Sequence, residues 1–511
     1  MEDIQKEEIS NSSRVQDQQH ASTGTQVSSP RLSTGIDGLD EVLHGGFLPE
    51  RAYLLRGGPG SGKTTLGLHI LAAGVRHGER TLFITLGETV EQIRANAAQL
   101  GIDTTQIHFL DLSPNASAFT FMESYDIFSP AEVERDPMTQ KILEEVQRIQ
   151  PQRVFLDSIT QFRYLSNDAF QFHKQVLSFL RFLNEQRATV FFTSEASADT
   201  PDDDLQFMSD GVLSLSFSDE IRTISISKFR GSAFRAGYHT MRLTGKGMQV
   251  FPHLLLGKNK FTGDVERISS GIPEMDELLH GGLERSTVTI VTGPSGVGKT
   301  TLGLQFMKEA AGRGEHSLVY LFDEREDTLL RRCEAVNIPV RAMLERGTLQ
   351  IEQVEPLEFS PDEFAYMVRQ DVARQNAQIV MIDSVAGYRL SVKGNDLVPH
   401  LHALSKFLQT QGVAVLLINE IEGITGDFHV TETGISYMAD NIIFLRYLEI
   451  RGEMHKAIGV LKKRLTNFEK TLREIEITRY GIKVGKPLVD LRNILSGLPE
   501  WADTGPKHTD V

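Results

Sequence analysis

At 511 residues the chain exceeds what one hydrophobic core organises, so two domains are the expectation. Its composition, 40% hydrophobic and 24% charged, is that of a folded globular protein, and one cysteine excludes a disulfide scaffold. A formal net charge of −15 disfavours a protein whose main task is coating nucleic acid, which needs clustered Lys and Arg. No apolar run is long enough to span a bilayer and the polar N-terminus holds no signal peptide, so the expected location is the cytoplasm.

Residues 1–30 are rich in Ser, Gln, Glu and Asp and read as a disordered tail. Structure is expected from about Ser33, where a long internal repeat starts. The run from Ser33 to Gly46 returns from Ser269 to Gly282, each residue 236 positions after its counterpart, as Lys299 stands to Lys63. A repeat of this length marks a duplicated domain rather than a solenoid. His44 and His280 precede Gly-Gly pairs without acidic or Cys neighbours at ligand spacing, which reads as turn packing.

Next in each copy comes an apolar strand, Ala52–Leu55 or Val288–Val291, then a glycine-rich loop and a helix. The first loop is Gly57-Gly58-Pro59-Gly60-Ser61-Gly62-Lys63-Thr64, followed by Thr65; the second is Gly293-Pro294-Ser295-Gly296-Val297-Gly298-Lys299-Thr300, followed by Thr301. Both match the phosphate-binding pattern in its strand–loop–helix context. Backbone N–H groups of such a loop curl around a triphosphate at a helix N-terminus, where the helix dipole favours anions. Lys63 and Lys299 then reach the β- and γ-phosphates of ATP, and Thr64 and Thr300 ligate Mg²⁺.

The next strands are Thr81–Ile84 and Ser317–Tyr320; further on come Arg153–Ser158 and Ile379–Ser384, where apolar runs close on Asp157 and Asp383. An Asp at such a strand end is the usual Mg²⁺-side acid of a P-loop protein, the alternative being an Asp that caps the following turn. Strands at Ala188–Thr193 and Val413–Asn419 complete the alternation, which implies an α/β fold: two tandem RecA-like P-loop domains, each a doubly wound, mostly parallel sheet with helices on both faces. The acidic run Asp199–Asp204 reads as a solvated loop, Cys333 as a small packed residue, and Lys258–Glu266 as the hinge. The expected domains are 31–258 and 259–500, with an irregular stretch from about Pro487 and a short polar tail over 501–511.

With these features assembled, the chain resembles the KaiC family of duplicated RecA-like ATPases over roughly residues 31–500. Beyond the two P-loops, three segments carry the resemblance: the Gly-Ile-x-x-x-Asp-x-x-x-x-Gly-Gly run that opens each half, Tyr447-Leu448-Glu449-Ile450-Arg451-Gly452-Glu453-Met454, and Ile435-Ser436-Tyr437. The resemblance implies a homohexameric double ring with ATP between neighbouring subunits. Its first tier would hydrolyse ATP slowly; its second would transfer the γ-phosphate to Ser/Thr side chains of the adjoining subunit and remove it again. A KaiB-like or other signalling protein is the implied partner. The tail after Pro499 is short and unlike the family's clock-partner-binding tail.

Transferred residue by residue, the resemblance implies bases, trans cations and phosphosites. Family members carry adjacent glutamates after the strand that follows the P-loop helix. Here the first half reads Gly87-Glu88 and the second Asp323-Glu324, so Glu88, Asp323 and Glu324 are the catalytic candidates, against a plainer role as helix N-terminal acids. A P-loop and an acid leave the charge clamp incomplete, and cations supplied in trans would complete it: Lys228 and Arg230, and Lys462 and Arg464. Lys463 reads as an exposed strand-end charge. Ser436 is the expected phosphosite, with Thr431 and Tyr437 beside it. The leading expectation is an ATPase and Ser/Thr autokinase; the rivals are a nucleotide-gated hexameric scaffold with little turnover and a RecA-like DNA-dependent ATPase.

Overall fold

The computed structural model describes residues 30–113, 137–164, 169–195, 201–218, 220–254, 266–392, 397–421, 434–492, 494 and 500–501. The chain divides into two compact units, Met1–Val250 and Phe251–Val511. All but Glu266 of the expected hinge, and Asp199 of the acidic run, lie outside the described residues.

The first sheet is built from strands β1 (Ala52–Arg56), β2 (Thr81–Thr85), β3 (His108–Asp111), β4 (Arg153–Asp157), β5 (Thr189–Ser194), β6 (Gly211–Ser218), β7 (Ile221–Phe229), β8 (Tyr238–Thr244) and β9 (Gly247–Phe251). They form one sheet in the order β3-β2-β4-β5-β1-β6-β7-β8-β9. From β3 to β6 neighbours run parallel, and their interior positions are almost all buried, as in strands covered on both faces. β7 and β8 then extend the sheet antiparallel, which the sequence reading did not anticipate. The alternation in Ile224-Ser225-Ile226-Ser227 is period two, with the isoleucines buried and one strand face turned from the core.

The second unit repeats this plan. After the short pair β10 (Arg267–Ile268) and β11 (Leu283–Glu284) come β12 (Val288–Gly293), β13 (Ser317–Leu321), β14 (Leu349–Gln353), β15 (Ile379–Asp383) and β16 (Ala414–Glu420). Then follow β17 (Asn441–Ile450), β18 (Glu453–Lys463), β19 (Arg473–Thr478) and β20 (Gly481–Pro487), with a small pair β21 (Leu491–Arg492) and β22 (Glu500–Trp501). The order β14-β13-β15-β16-β12-β17-β18-β19-β20 is the first sheet again, with β17 to β20 antiparallel. Both sheets are the expected mostly parallel α/β fold. The Glu449-Ile450-Arg451-Gly452-Glu453-Met454 run is the hairpin between β17 and β18; Arg451 and Gly452 take φ of 55° and 79°, the conformation a tight hairpin turn demands.

The repeated run that opens each half has a local cause. Asp40 accepts from Ser33 Oγ at 2.6 Å and Thr34 N at 2.8 Å; Asp276 accepts from Ser269 Oγ at 2.5 Å and Ser270 N at 2.8 Å. His44 and His280 sit exposed in the following turns with φ of 55° and 51°.

Two features of the P-loop helices, Lys63–Arg76 and Lys299–Gly312, position the loops. Gly62 and Gly298, at φ of 104° and 115°, turn the chain into the helix in a conformation other residues resist. Gly67 and Gly303 let the helix lie close on the sheet: a Cβ would come 2.1 Å from the Phe155 ring in one and 2.5 Å from Met381 Sδ in the other. Cys333 is buried in the helix Glu326–Ala335, and burial pushes its thiol up to about 11, as a packed residue requires. No helix among the described residues is long and apolar enough to cross a membrane.

Two expectations are overturned here. The acidic run ending at Asp204 is no solvated loop: Asp202 is 3% exposed and receives both Arg56 Nε at 2.9 Å and a second Arg56 nitrogen at 2.8 Å, and a helix begins at Asp203. Lys463 is not an exposed strand-end charge either. Its side chain is fully buried, its ammonium 2.7 Å from Glu284 and bonded to Leu279 O, Gly282 O and Thr466 Oγ1. Clustered charge does avoid cores, but the Arg56 guanidinium replaces water for Asp202, and Glu284 with two backbone carbonyls replaces it for Lys463.

Candidate active site

Each P-loop leaves the C-terminal end of a central parallel strand, β1 or β12, flanked on both sides by other parallel strands. That crevice is where open α/β sheets bind ligands. Lys63 Nζ donates to Gly57 O at 2.8 Å and Gly58 O at 2.9 Å; Lys299 Nζ donates to Gly293 O and Pro294 O, both at 2.9 Å. Burial lowers both lysine pKa values, opposed by Asp157 and Glu195 in the first half and by Glu420 and Asp383 in the second. Positions that face open space, Gly58 and Gly60, leave the cradle room for an anion.

At the strand ends Thr64 Oγ1 donates to Asp157 Oδ2 at 2.6 Å, and Thr300 Oγ1 to Asp383 Oδ2 at 2.7 Å. The P-loop threonine and the strand-end acid therefore converge in each half. A hydroxyl and a carboxylate oxygen side by side are the hard donors Mg²⁺ prefers, so these residues fit that ion. Burial raises the Asp383 pKa, with the Thr300 hydrogen bond and Arg332 pulling the other way.

The candidate bases differ between the halves. Asp323 Oδ2 accepts from Ser384 Oγ at 2.5 Å, immediately next to Asp383, and Glu324 pairs with Arg332 at 2.8 Å. Glu88 is exposed; its carbonyl, rather than its carboxylate, accepts from Thr85 Oγ1 at 2.6 Å. A Cβ at Gly87 would touch nothing within 4 Å, so packing does not require glycine there.

The candidate trans cations stand elsewhere. Phe229 pairs with Gly211 at the start of β6, and Gly211 lies beside Tyr53, while the P-loop departs beyond Arg56 at the other end of β1. Lys228 and Arg230 are thus at the sheet end opposite their own P-loop. There Lys228 Nζ holds Gln206 O at 2.6 Å and Arg230 lies 3.8 Å from Asp210. The second half repeats this: Lys462 pairs with Ile442, early in β17. Lys462 Nζ donates to Ser436 O at 3.1 Å, and Arg464 to Tyr437 O at 2.8 Å and Asp440 Oδ1 at 3.3 Å. Ser436 is part-exposed and Tyr437 exposed, in a short 3-10 turn ahead of β17. Ser436 therefore shares the far end with Lys462 and Arg464. Thr431 lies outside the described residues.

Two family-model matches cover most of this architecture: the model "ATPase: KaiC" fits residues 32–254 and again 268–489. The chain belongs to the KaiC family. It is 28% identical over 499 residues to the circadian clock oscillator protein KaiC of Parasynechococcus marenigrum (strain WH8102), covering 95% of this chain and 96% of that protein. Similar relatives are the circadian clock oscillator protein KaiC of Parathermosynechococcus lividus, 26% identical over 494 residues, covering 94% of this chain and 90% of the relative, and the circadian clock protein KaiC3 of Synechocystis sp. (strain ATCC 27184 / PCC 6803 / Kazusa), 28% over 488, covering 92% and 95%. The two halves are thus tandem KaiC ATPase domains.

Several groups around these KaiC sites escaped the sequence reading. Thr193 Oγ1 donates to Asp157 Oδ1 at 2.6 Å, holding the first acid from a neighbouring strand. Glu420 lies 3.8 Å from Lys299 Nζ. Tyr447 Oη and Lys456 Nζ, from the β17–β18 hairpin, donate to Ser295 O and Gly296 O of the second P-loop, each at 3.3 Å. The only available signal was the hairpin's family-specific run, which pointed at the segment without saying what it touches.

Proposed function

We propose that the chain is an ATP-driven signalling enzyme, assembled as a homohexamer, that hydrolyses ATP in its first half and phosphorylates itself in its second. One observation carries this reading: in both halves the candidate cations stand at the sheet end opposite their own P-loop, and Ser436 stands there too. A phosphate in one subunit's P-loop is then met by Lys462, Arg464 and Ser436 of another. In the transfer step Ser436 Oγ forms the bond to the γ-phosphorus while the bond to the bridging β,γ-oxygen breaks and ADP leaves. The Ser436 proton passes to Asp323 or Glu324 of the subunit holding the nucleotide, and Lys299 with the neighbour's cations balances the charge. Mg²⁺, held by Thr300 and Asp383, would neutralise phosphate charge.

Incubation with γ-labelled ATP and Mg²⁺, followed by peptide mapping, is expected to label the Thr431–Tyr437 peptide. Light scattering is expected to show an ATP-dependent rise to a ring-sized particle. An unlabelled peptide removes the kinase reading, and a monomer that still labels itself removes the trans arrangement.

A nucleotide-gated scaffold with little turnover is the second reading for the first half, favoured by Gly87 and the exposed Glu88. Gly87→Glu tests it, since a side chain fits there. Positioned general bases contribute about 10²- to 10⁴-fold, so turnover on a Lys299→Ala background is expected to rise by roughly tenfold or more. An unchanged rate would mean that Glu88 already supplies the base.

A further inference from the structure

The second unit brings together His253, Asp362 and His400. One ligand atom from each lies within 4.8 Å of the others. They come from three separate places: the segment just after β9, the first turn of the helix Pro361–Gln375, and the helix Leu397–Thr410. Asp362 is 8% exposed, and its Oδ1 lies 2.9 Å from His253 Nδ1. The imidazoles of His253 and His400 meet edge to face with centroids 5.9 Å apart and planes at 89°. Both histidines are part-exposed, which leaves a route in from solvent.

The helix Pro361–Gln375 has a well-defined start next to Asp362. Ser360 Oγ accepts from Glu363 N at 3.2 Å and the Glu363 carboxylate accepts from Ser360 N, a capping box that fixes the turn carrying Asp362. Leu254, next to His253, is buried in the apolar cluster of this unit that also contains Leu401 and Leu404. The segment that carries His253 and the helix that carries His400 thus contribute to one apolar cluster, and their two imidazoles touch.

We propose that His253, Asp362 and His400 bind a divalent transition-metal ion of the zinc type, which fastens the segment after β9 onto the two helices. Two imidazoles and one carboxylate are a donor set for Zn²⁺, Co²⁺ or Ni²⁺; Mg²⁺ and Ca²⁺ take oxygen shells instead. Metal–nitrogen bonds of about 2.0–2.1 Å need donor atoms somewhat closer than the widest spacing here, an adjustment that part-exposed imidazoles make by rotation. Water fills the remaining position.

The test uses the full chain, stripped with chelator and nucleotide-free in excess Mg²⁺, titrated with Zn²⁺ against a chromophoric chelator. Wild type is expected to take up about one tight equivalent. Loss of an outer-shell partner already weakens metal sites about 10- to 100-fold, so losing a ligand in His253→Ala, Asp362→Asn or His400→Ala is expected to cost at least that. His400→Cys, which keeps a ligand, is expected to retain the equivalent, as is His77→Ala at a surface histidine elsewhere. Co²⁺ added to wild type should give visible absorption that the His253→Ala variant lacks. Equal uptake by wild type and all three ligand variants, or no tight uptake by wild type, overturns the site and leaves a plain His253–Asp362 ion pair.

Discussion

Lys299→Ala is expected to abolish transfer of label to the Thr431–Tyr437 peptide, whereas Lys63→Ala leaves the peptide labelled wherever the ring still forms. Each lysine is buried and sits over its own loop carbonyls, so a bound triphosphate replaces those carbonyls as the ammonium's partner. Losing one charged hydrogen-bond donor to phosphate costs about 1.5–3 kcal/mol, which is roughly 10- to 150-fold in affinity. Each lysine donates to two carbonyls of its own loop at 2.8–2.9 Å, so nucleotide binding should fall by a similar factor at each. What differs is the surrounding chemistry. The second half keeps Asp323 hydrogen-bonded beside Asp383, and its cations stand next to Ser436; the first half has Gly87 at the matching acid position. Nucleotide stoichiometry, particle size and peptide mapping on the same samples separate the contributions. Label that survives in Lys299→Ala but disappears in Lys63→Ala would reverse the assignment of the two halves.

Lys463→Ala is expected to destabilise the second unit by about 3–5 kcal/mol, the cost of leaving the Glu284 carboxylate buried without its cation. Both side chains are fully buried, and Glu284 Oε1 also accepts from Thr466 Oγ1 at 2.7 Å. Burial lowers the Lys463 pKa while the Glu284 hydrogen bond raises it, so the ammonium depends on that partner to stay charged. The first half shows a solution without charge. At the matching places stand Leu48 and Phe229, 6% and 7% exposed in one apolar cluster. The double replacement Glu284→Leu with Lys463→Phe is therefore expected to recover most of the loss, since a buried pair can be exchanged for packed apolar groups at little cost. Urea unfolding followed by a probe in the second unit measures this. A single variant as stable as wild type, or a double variant no better than the single, would show that the pair does not govern this core.

Much of the site was legible because its determinants are contiguous. The P-loop glycines, Lys63, Thr64 and their counterparts occupy adjacent positions, and Asp157 and Asp383 close apolar strands whose burial is continuous. The repeat at a spacing of 236 announced two similar domains, and the structure has two sheets of one topology. The antiparallel extension was not read, because short alternating strands such as Ile221–Phe229 carry a weaker signal than a continuous apolar run. Lys463 was misread for a related reason: a Lys between Lys462 and Arg464 looks like a solvated charge, and its acceptors, Leu279 O, Gly282 O and Glu284, are about 180 positions away.

Sequence alone determined the family, the duplicated P-loop fold and the strand-end acids, since short-range patterns and adjacent motif residues record these directly. Only the tertiary structure decided the rest. It set Lys228, Arg230, Lys462, Arg464 and Ser436 at the sheet end away from their own phosphate loops, buried the Lys463–Glu284 pair, and gathered His253, Asp362 and His400. Each of these depends on strand order and register, which bring residues together across distances in the chain that no local pattern spans.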